Sequence, residues 1–456
     1  FPLEMRTYHG SQKLNTTRKS FAQSLSFFKH VPNDSKGIVL TQKLNDYEYT
    51  IKLAASSKVL AEKYNAEVKL YDADWTAIIG WKYRFRKLYH FFAQDLSVYF
   101  HKQFSSETLF RNDEKYRDQQ LIQQQLVKLK KELNSPDDLL KLRKNNIELG
   151  DLIYDTYLRY FHQPTILELN SDVWLIIEIA LNIYYTFLDC LNQNKIVALV
   201  NSYSSYIEHG ITTRICLAQH IPVYTVGSYS YIIQRLSPDF PFHQINHTKF
   251  DPEKKIAPVQ MELAKNIFTK RFEGKIDPAT RYMKKSAFGG EAIDETTKEL
   301  FDQRNRNVVI YIHDFYDSPH VNRQLIFADL YQYLKQTLEA LIESKDTSFF
   351  IKIHPNGIKG CKEKAIELVT SFKVDHFQIL PDHITNTNII ELKPDLIATA
   401  RGTVCLEMAY FNIPTVALYD NLYVNFPFTY SCKKKEHYFD VLRGTQPIEN
   451  KFDQKH

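Results

Sequence analysis

Glycine and methionine are scarce in this chain, at 13 and 4 of 456 residues, so neither a glycine-rich phosphate loop nor a methionine-rich surface can dominate it. The five cysteines (Cys190, Cys216, Cys361, Cys405 and Cys432) are odd in number, far apart and never in CxxC spacing. That pattern suggests neither a disulfide framework nor a zinc site, and fits a reducing cytoplasm best. No apolar run reaches the roughly 18 to 20 residues that cross a bilayer. The best, Val173 to Leu188, is interrupted by Glu178 and Asn182. Charge is not segregated either: 58 Lys and Arg mix with 53 Asp and Glu for a net +5, which argues against a nucleic-acid partner. The chain begins on Phe1 and shows no signal-peptide pattern, so whether Phe1 is the natural start is left open by the sequence.

What the chain has is bulk. A hydrophobic content of 44% over this length exceeds what one ordinary core holds and supports two domains. Aromatic residues reach 14%, a level that serves sugar binding or plain core packing.

Periodicity predicts the organisation. Gly37 to Leu40 reads as a buried strand, Tyr47 to Asn65 as an amphipathic helix and Ala66 to Tyr71 as a second strand, which implies a parallel sheet. Residues 111–147 are polar, with Leu121, Ile122, Leu126, Leu129 and Leu133 at helical spacing and Ser135-Pro136-Asp137-Asp138 as a stop and restart, so a helical hairpin inserted in the N-terminal domain is expected. Lys195 to Val200, Ser205 to His220 and Ile221 to Val226 resume as strand, helix, strand. Residues 236–300 turn irregular and read as an interdomain crossover. Strands at Asn307 to Ile312, Ser348 to Ile353, Phe377 to Leu380, Leu396 to Ala398 and Pro414 to Leu418 then alternate with helices at Ile326 to Ser344, Gly360 to Phe372 and Thr403 to Phe411. The fold class is α/β. An N-terminal domain of residues 1–250, a crossover of 251–300 and a C-terminal domain of 301–456 are expected, the second a doubly wound sheet with ligands beyond its strand ends.

Several segments fall at those ends. Phe349 to Gly357 runs an apolar strand into His354-Pro355, which would present an imidazole to a phosphate oxygen with Lys352 nearby. An ordinary strand-ending turn gives the same residues. Ala398 to Glu407 ends a strand, permits close backbone approach at Gly402 and offers Thr403 as a helix cap, with Glu407 in reach of a ribose or base. His313-Asp314-Phe315-Tyr316-Asp317-Ser318-Pro319-His320 gathers two carboxylates and two imidazoles that could supply an acid, a base or a nucleophile, could serve as metal ligands, although a DxD pattern is read as absent, or could simply form a hydrogen-bonded turn. In the N-terminal half, Asp155 is the acceptor-side base candidate, with Arg159 and Arg214 available to an acidic sugar or phosphate; a buried Asp–Arg pair is the competing reading, and Asp151 reads as a helix cap.

Lys352-Ile353-His354-Pro355, then Gly402-Thr403, Glu407 and Phe411-Asn412-Ile413-Pro414, resembles the donor half of GT-B glycosyltransferases of bacterial capsule and lipopolysaccharide synthesis, including β-Kdo transferases and sialyltransferases with an HP motif. Gly150-Asp151-Leu152-Ile153-Tyr154-Asp155-Thr156-Tyr157-Leu158-Arg159, the stretch Tyr206-Ile207-Glu208-His209-Gly210-Ile211-Thr212-Thr213-Arg214 ahead of Ile221-Pro222-Val223, and the His313 to His320 loop resemble segments of the same capsule-type proteins, although Asp314 is an unusual occupant of its place. The resemblance spans roughly residues 150–445. It implies two Rossmann-like domains facing a central cleft, with nucleotide phosphates held by His354 and Thr403 and the nucleotide contacted by Glu407. It further implies transfer of a sugar, Kdo from CMP-Kdo before others, to a surface polysaccharide or lipid-linked acceptor, with no cofactor and no metal. A non-catalytic polysaccharide-binding protein and a nucleotide-sugar epimerase are the alternatives. The basic aromatic stretch Trp81 to His90 would suit peripheral contact with an anionic inner-membrane face, or a solvated helix or strap.

Overall fold

The computed structural model describes residues 34–44, 47–80, 107–227, 233–244, 250–275, 286–290, 292–321, 325–354, 356–419 and 421–448. Pro355 and the Trp81 to His90 stretch lie outside the described residues. The chain divides into two compact units: unit 1 comprises Phe1–Phe161 and Ile166–Gln244, and unit 2 comprises His162–Thr165 and Ile245–His456.

Unit 1 runs β1 (Ile38–Lys43), α1 (Tyr47–Tyr64), β2 (Glu67–Asp72), β3 (Thr108–Arg111), α2 (Gln119–Glu132), α3 (Pro136–Leu140), a short ribbon of β4 (Arg143–Lys144) and β5 (Ile147–Glu148), α4 (Gly150–Phe161), α5 (Ser171–Gln193), β6 (Ile196–Asn201), α6 (Tyr206–Ala218), β7 (Val223–Thr225) and β8 (Gln234–Arg235). Its sheet has the order β3-β2-β1-β6-β7-β8, parallel throughout except at β8. Successive strand residues point to opposite faces, and both faces are covered. Leu40 and Leu199 join one core with α4, α5 and α6, while Val39, Ala198 and Val200 join a second core under α1. The expected helical hairpin at 111–147 is only half present. After α2, Ser135 caps a five-residue helix by accepting from Asp138 N–H, and the chain turns straight into the β4–β5 ribbon.

Among the described residues α5 is the helix long and apolar enough to cross a membrane. Here it is a core helix, with Ile176, Ile177, Ala180, Tyr184 and Phe187 buried and Asn170 capping it through Asp172 and Val173 N–H at 3.1 Å. Against it packs the α4–α6 pair. Their close approach needs Gly210, where a Cβ would stand 2.3 Å from Leu152 Cδ2 and 2.8 Å from Ser204 O.

Unit 2 runs α7 (Pro258–Phe272), α8 (Glu295–Asp302), β9 (Arg306–Tyr311), α9 (Leu330–Leu341), β10 (Thr347–Lys352), α10 (Cys361–Ser371), β11 (Phe377–Ile379), α11 (Asn386–Leu392), β12 (Leu396–Thr399), α12 (Val404–Tyr410), β13 (Thr415–Leu418), β14 (Tyr430–Cys432) and α13 (Lys435–Arg443). The sheet order β11-β10-β9-β12-β13-β14 repeats the strand order of unit 1, here wholly parallel. Every residue of β10, β12 and β13 is buried, as a sheet covered on both faces requires. Val308, Ile310, Phe349 and Ile351 face one core; Val309, Phe350 and Ile397 face the other, where Phe301 stacks on Phe350 at 4.0 Å. The protein is therefore α/β, with two Rossmann-type units, each reversing strand order at one place: β1 to β6 in unit 1 and β9 to β12 in unit 2.

All five cysteines are free and buried. The segment read as an irregular crossover contains two helices, α7 and α8.

Candidate functional site

In a sheet of this order, loops leaving the carboxyl ends of the two strands beside the reversal diverge and leave room for a ligand. In unit 2 those strands are β9 and β12. His313 follows β9 by two residues, and its Nε2 stands 3.1 Å from Thr399 Oγ1 at the end of β12. The same nitrogen accepts from Arg401 N–H at 3.2 Å, while Thr399 Oγ1 accepts from Gly402 N–H at 3.3 Å. A nitrogen that accepts from a main-chain N–H carries no proton, so Thr399 donates its hydroxyl hydrogen to it and the ring proton of His313 sits on Nδ1. Burial, then the nearby Arg401 and His354, push the His313 pKa down to about 3, so the ring is neutral near pH 7.

His354 follows β10, the next strand, and is exposed. Its Nδ1 accepts from Asn356 N–H at 3.2 Å, which leaves the proton on Nε2. Its pKa is also lowered, chiefly by desolvation and further by Lys352, against the opposing pull of Asp314 and Asp317. The two imidazoles are neutral N–H donors of fixed tautomer on neighbouring strands, an arrangement suited to phosphate oxygens.

The other predicted residues take varied places. Asp314 is a staple: one oxygen accepts from Tyr316 N–H at 2.9 Å and the other from Ile358 N–H, tying the β9 loop to the β10 loop. Asp317 is exposed and His320 half-buried on the same loop. Lys352 is buried with its Nζ donating to Ile384 O, and burial brings its pKa down to about 8; it straps β10 to the loop after β11 instead of standing out in the loop. Gly402 lies under the His313 ring, where a Cβ would stand 3.0 Å from Thr399 Oγ1 and 3.6 Å from His313 Cε1. Thr403 begins α12 without capping it by its side chain; its hydroxyl instead donates to Glu407 Oε1 at 3.3 Å.

Glu407 is buried in a polar network that sequence reading missed. Arg271 of α7 donates to its Oε1 from Nε at 2.7 Å and Nη2 at 2.5 Å, Asn386 Nδ2 donates to its Oε2 at 2.8 Å, and Tyr311 OH donates to Asn386 Oδ1 at 3.0 Å. Asn386 was legible in principle, since Thr385 and Asn388 form a capping box around it. Arg271 was not, lying in the segment read as irregular.

In unit 1 the residues proposed for acceptor binding are largely structural in their contacts. Arg214 makes a bidentate pair with Asp151 at 2.6 and 2.5 Å and also donates to Glu148 O. Burial works to lower its pKa, but Asp151 first, then Glu148 and Asp155, hold it above the ordinary value. Asp151 is thus an ion-pair partner, where the sequence suggested a helix cap. Asp155 is buried on the same helix and Arg159 half-buried near its end. Asp72-Ala73-Asp74 has the spacing of a metal-binding DxD, a pattern the sequence reading took to be absent. Asp72 Oδ1 accepts from Asp74 N–H, and Asp74 Oδ1 from Thr76 N–H and hydroxyl, so the pair forms a turn after β2. Among the described residues no group of three His, Cys, Asp or Glu could hold a metal ion.

No family model matches the sequence, and no curated protein sequence matches it. Among solved structures, the β-Kdo 2,4 transferase KpsC of Thermosulfurimonas dismutans shares 13% identity over 53% of this chain and 75% of its own, with a TM-score of 0.34. The UDP-GlcNAc 2-epimerase of Methanocaldococcus jannaschii, in complex with UDP-GlcNAc and UDP, shares 12% over 91% of this chain and 94% of its own, with a TM-score of 0.29. That of Neisseria meningitidis bound to UDP-GlcNAc shares 12% over the same shares of each chain, with a TM-score of 0.25. At such identities and TM-scores no residue role passes from those enzymes to this chain.

Proposed function

We propose that the chain is a nucleotide-sugar-dependent glycosyltransferase whose unit 2 holds the donor and whose unit 1 takes a bacterial surface polysaccharide or lipid-linked acceptor. The observation that carries the reading is the closure of His313 onto Thr399 and Arg401 N–H at the strand-order reversal of unit 2, beside His354. It builds a small polar floor where a doubly wound sheet binds nucleotides, and it presents neutral donors, not a basic patch.

In this reading the acceptor oxygen attacks the anomeric carbon as the bond from that carbon to the phosphate oxygen breaks, and the electron pair leaves with the phosphate. His354 Nε2–H and His313 Nδ1–H meet the charge that develops there. Asp314 acts on neither atom; it fixes the loop that carries His313 against the one that carries His354. The likeness of the Lys352 to Pro355 and Gly402 to Glu407 segments to HP-motif enzymes favours CMP-Kdo as the donor. The network around Glu407 is the place for a ribose hydroxyl, which would exchange with or extend its contacts to Thr403 and Asn386.

The test is incubation of the full chain with CMP-, UDP-, GDP- and CDP-linked sugars, with and without oligosaccharide acceptors, reading free nucleotide by mass spectrometry. One nucleotide should stabilise the fold by mass action, by about 2.7 kcal/mol at a hundredfold excess over Kd, and so raise Tm. Turnover is expected to survive EDTA. Donor isomerised with no nucleotide released would make the protein an epimerase instead, and no Tm shift with any nucleotide would sink both readings in favour of a binding protein.

A further inference from the structure

Unit 1 reverses strand order between β1 and β6, and a second polar cluster stands at the carboxyl ends of its strands. Gln42, at the end of β1, accepts from Ser202 N–H and hydroxyl at 3.1 and 2.7 Å and contacts His209 Nδ1. Beside His209 is Glu208, in the first turn of α6. It is 6% exposed, and its two carboxyl oxygens are held by neutral donors: Tyr160 OH to Oε1 at 2.7 Å and Trp75 Nε1–H to Oε2 at 3.0 Å. Among the described residues no Lys or Arg pairs with it; the imidazole of His209, 3.8 Å away, is kept neutral by burial, its pKa pushed down to about 3. A buried carboxyl with no cation is costly to maintain for stability alone, because its charged form lacks compensation.

Two further observations mark the same place. Asn112, 1% exposed, donates to Ala73 O and to Glu208 O, and its Oδ1 has no hydrogen-bond partner among the described residues. Tyr206, the residue that begins α6, has φ of 60°, a left-handed conformation that a bulky side chain rarely adopts. Its ring meets Tyr160 edge to face at 6.4 Å, and Tyr160 meets Trp75 likewise at 4.7 Å. Tyr160, Tyr206 and Asp74 are half-buried, and Tyr160 links the buried Glu208 to the Tyr206 ring.

Resting on the transferase reading above, we propose that Tyr160 and Glu208 form a proton relay for the acceptor hydroxyl. The hydroxyl donates to the Tyr160 oxygen, and Tyr160 passes its own proton to Glu208 Oε1. The freed acceptor oxygen forms the bond to the anomeric carbon, and the nucleotide leaves with the electron pair of the broken carbon–oxygen bond. One proton enters Glu208 for each bond made, and solvent removes it afterwards.

Of the carboxylates available, this one fits best. Asp317 is exposed and solvated, and Asp155 is buried where its charge supports Arg214. Glu208 is faced by Tyr160 from α4, by Trp75 and Asp74 from the turn after β2, by Asn112 after β3 and by His209 of its own helix. Burial, with a smaller push from the Asp74 charge, raises its pKa despite the Tyr160 and Trp75 hydrogen bonds, so it is a better proton acceptor than an ordinary carboxylate. Tyr160 is raised well above its usual value by burial and then by Glu208, so it remains a donor.

Trp75 is a built-in reporter. In the full chain carrying Trp81→Phe and Trp174→Phe, Trp75 emission should titrate with Glu208, and Glu208→Gln should abolish the titration. On the same preparations, Glu208→Gln and Tyr160→Phe should each lower turnover by about a hundredfold or more while keeping the nucleotide-induced Tm shift. The acid limb of the rate profile should coincide with the Trp75 titration and vanish in Glu208→Gln. A parent that releases nucleotide while Glu208→Gln and Tyr160→Phe turn over at its rate overturns the relay alone. So does a folded Glu208→Gln protein that stays active while Asp317→Asn or Asp155→Asn is dead. A parent that releases nucleotide from no donor overturns the transferase reading, and the relay with it.

Discussion

The main-chain N–H of Arg401 donates to the imidazole Nε2 of His313 at 3.2 Å across 88 residues of sequence, and Thr399 holds the same nitrogen from the other side. The turn that follows β12 is therefore set by a side chain that follows β9. Thr399→Val keeps the shape and removes the hydroxyl, leaving His313 Nε2 and Gly402 N–H short of a partner, a cost of about 1 to 3 kcal/mol where such groups are buried. Tm should fall, and the stabilisation by nucleotide should shrink by more than the loss of Tm accounts for. A variant with full nucleotide-induced stabilisation would separate this turn from the ligand site.

Acid sensitivity follows from two buried imidazoles. His313 and His209 each have a folded pKa near 3, below the ordinary 6.5, so between these values the unfolded chain binds protons that the folded chain refuses. Stability from the neutral rings is complete above pH 6.5 and declines as pH falls toward 3. Urea unfolding across this window should show a shallower pH slope in His313→Asn than in the parent, and shallower again in a His209→Asn, His313→Asn double variant. Parallel slopes in all three would place both rings in water.

His354 presents Nε2–H because Asn356 N–H occupies Nδ1. On the proposed reading, His354→Ala loses one hydrogen bond to a charged phosphate oxygen, worth about 1.5 to 3 kcal/mol, or roughly ten- to a hundredfold in nucleotide affinity. Turnover should fall with it, since that contact strengthens as the leaving group gains charge. His354→Gln, whose amide also donates, should recover part of both. Calorimetric titration with the preferred nucleotide reads the first effect, and nucleotide release the second. Unchanged affinity in His354→Ala would move the phosphate elsewhere on the switch-point floor.

The legibility of the chain varied with how local its causes were. Strands such as Thr347–Lys352 and Thr415–Leu418 are short apolar runs buried on both faces, and they stood where periodicity put them. Helix Pro258–Phe272 was missed because it is apolar on two opposite sides: Phe268 and Phe272 pack on Tyr410 and Phe411, whereas Val259, Leu263 and Ile267 are exposed, so no single stripe appears. In the site, sequence found residues but not their directions. His313, His354 and Glu407 could be singled out by type and by place at a strand end. That Lys352 turns to Ile384 O, or that Asp314 binds two main-chain N–H groups, depends on loops that meet only after the sheet has formed. Glu208 lies in a segment, Tyr206 to Arg214, that the sequence singles out only by resemblance and without a role for the carboxyl; its partners come from the turn after β2 and from α4, far apart in sequence.

At Gly210 the side chain of Leu152 on α4 packs directly against the backbone of α6. In Gly210→Ala the new methyl would meet the flexible Leu152 methyls, which can yield, but also the Ser204 carbonyl at 2.8 Å, which is main chain. Overpacking of this kind costs about 1 to 3 kcal/mol. A thermal melt of Gly210→Ala should show a lower Tm. Since Ser204 and Glu208 flank the contact, turnover should drop more than stability. An unchanged Tm would mean that the two helices are not held at this distance.

The ion pair between Arg271 and Glu407 joins α7 to α12 and tests whether the buried Glu407 network is structural or ligand-ready. Arg271→Ala leaves a carboxylate that is 3% exposed without its cation, for which the expected loss is about 3 to 5 kcal/mol. Glu407→Gln in the parent removes the charge but keeps an acceptor for Thr403 and, after rotation, for Asn386, so it should cost less. The double variant should be more stable than Arg271→Ala alone, because the uncompensated charge is gone, and the cycle therefore reports a coupling free energy. Nucleotide adds a second axis. A ribose hydroxyl that contacts Glu407 can donate to the carboxylate that Arg271 vacates, so nucleotide should stabilise Arg271→Ala by more than it stabilises the parent and should do little for Glu407→Gln. Equal nucleotide-induced shifts in all four proteins, measured by thermal melts at saturating ligand, would make the pair a strap between helices and take Glu407 out of the donor site.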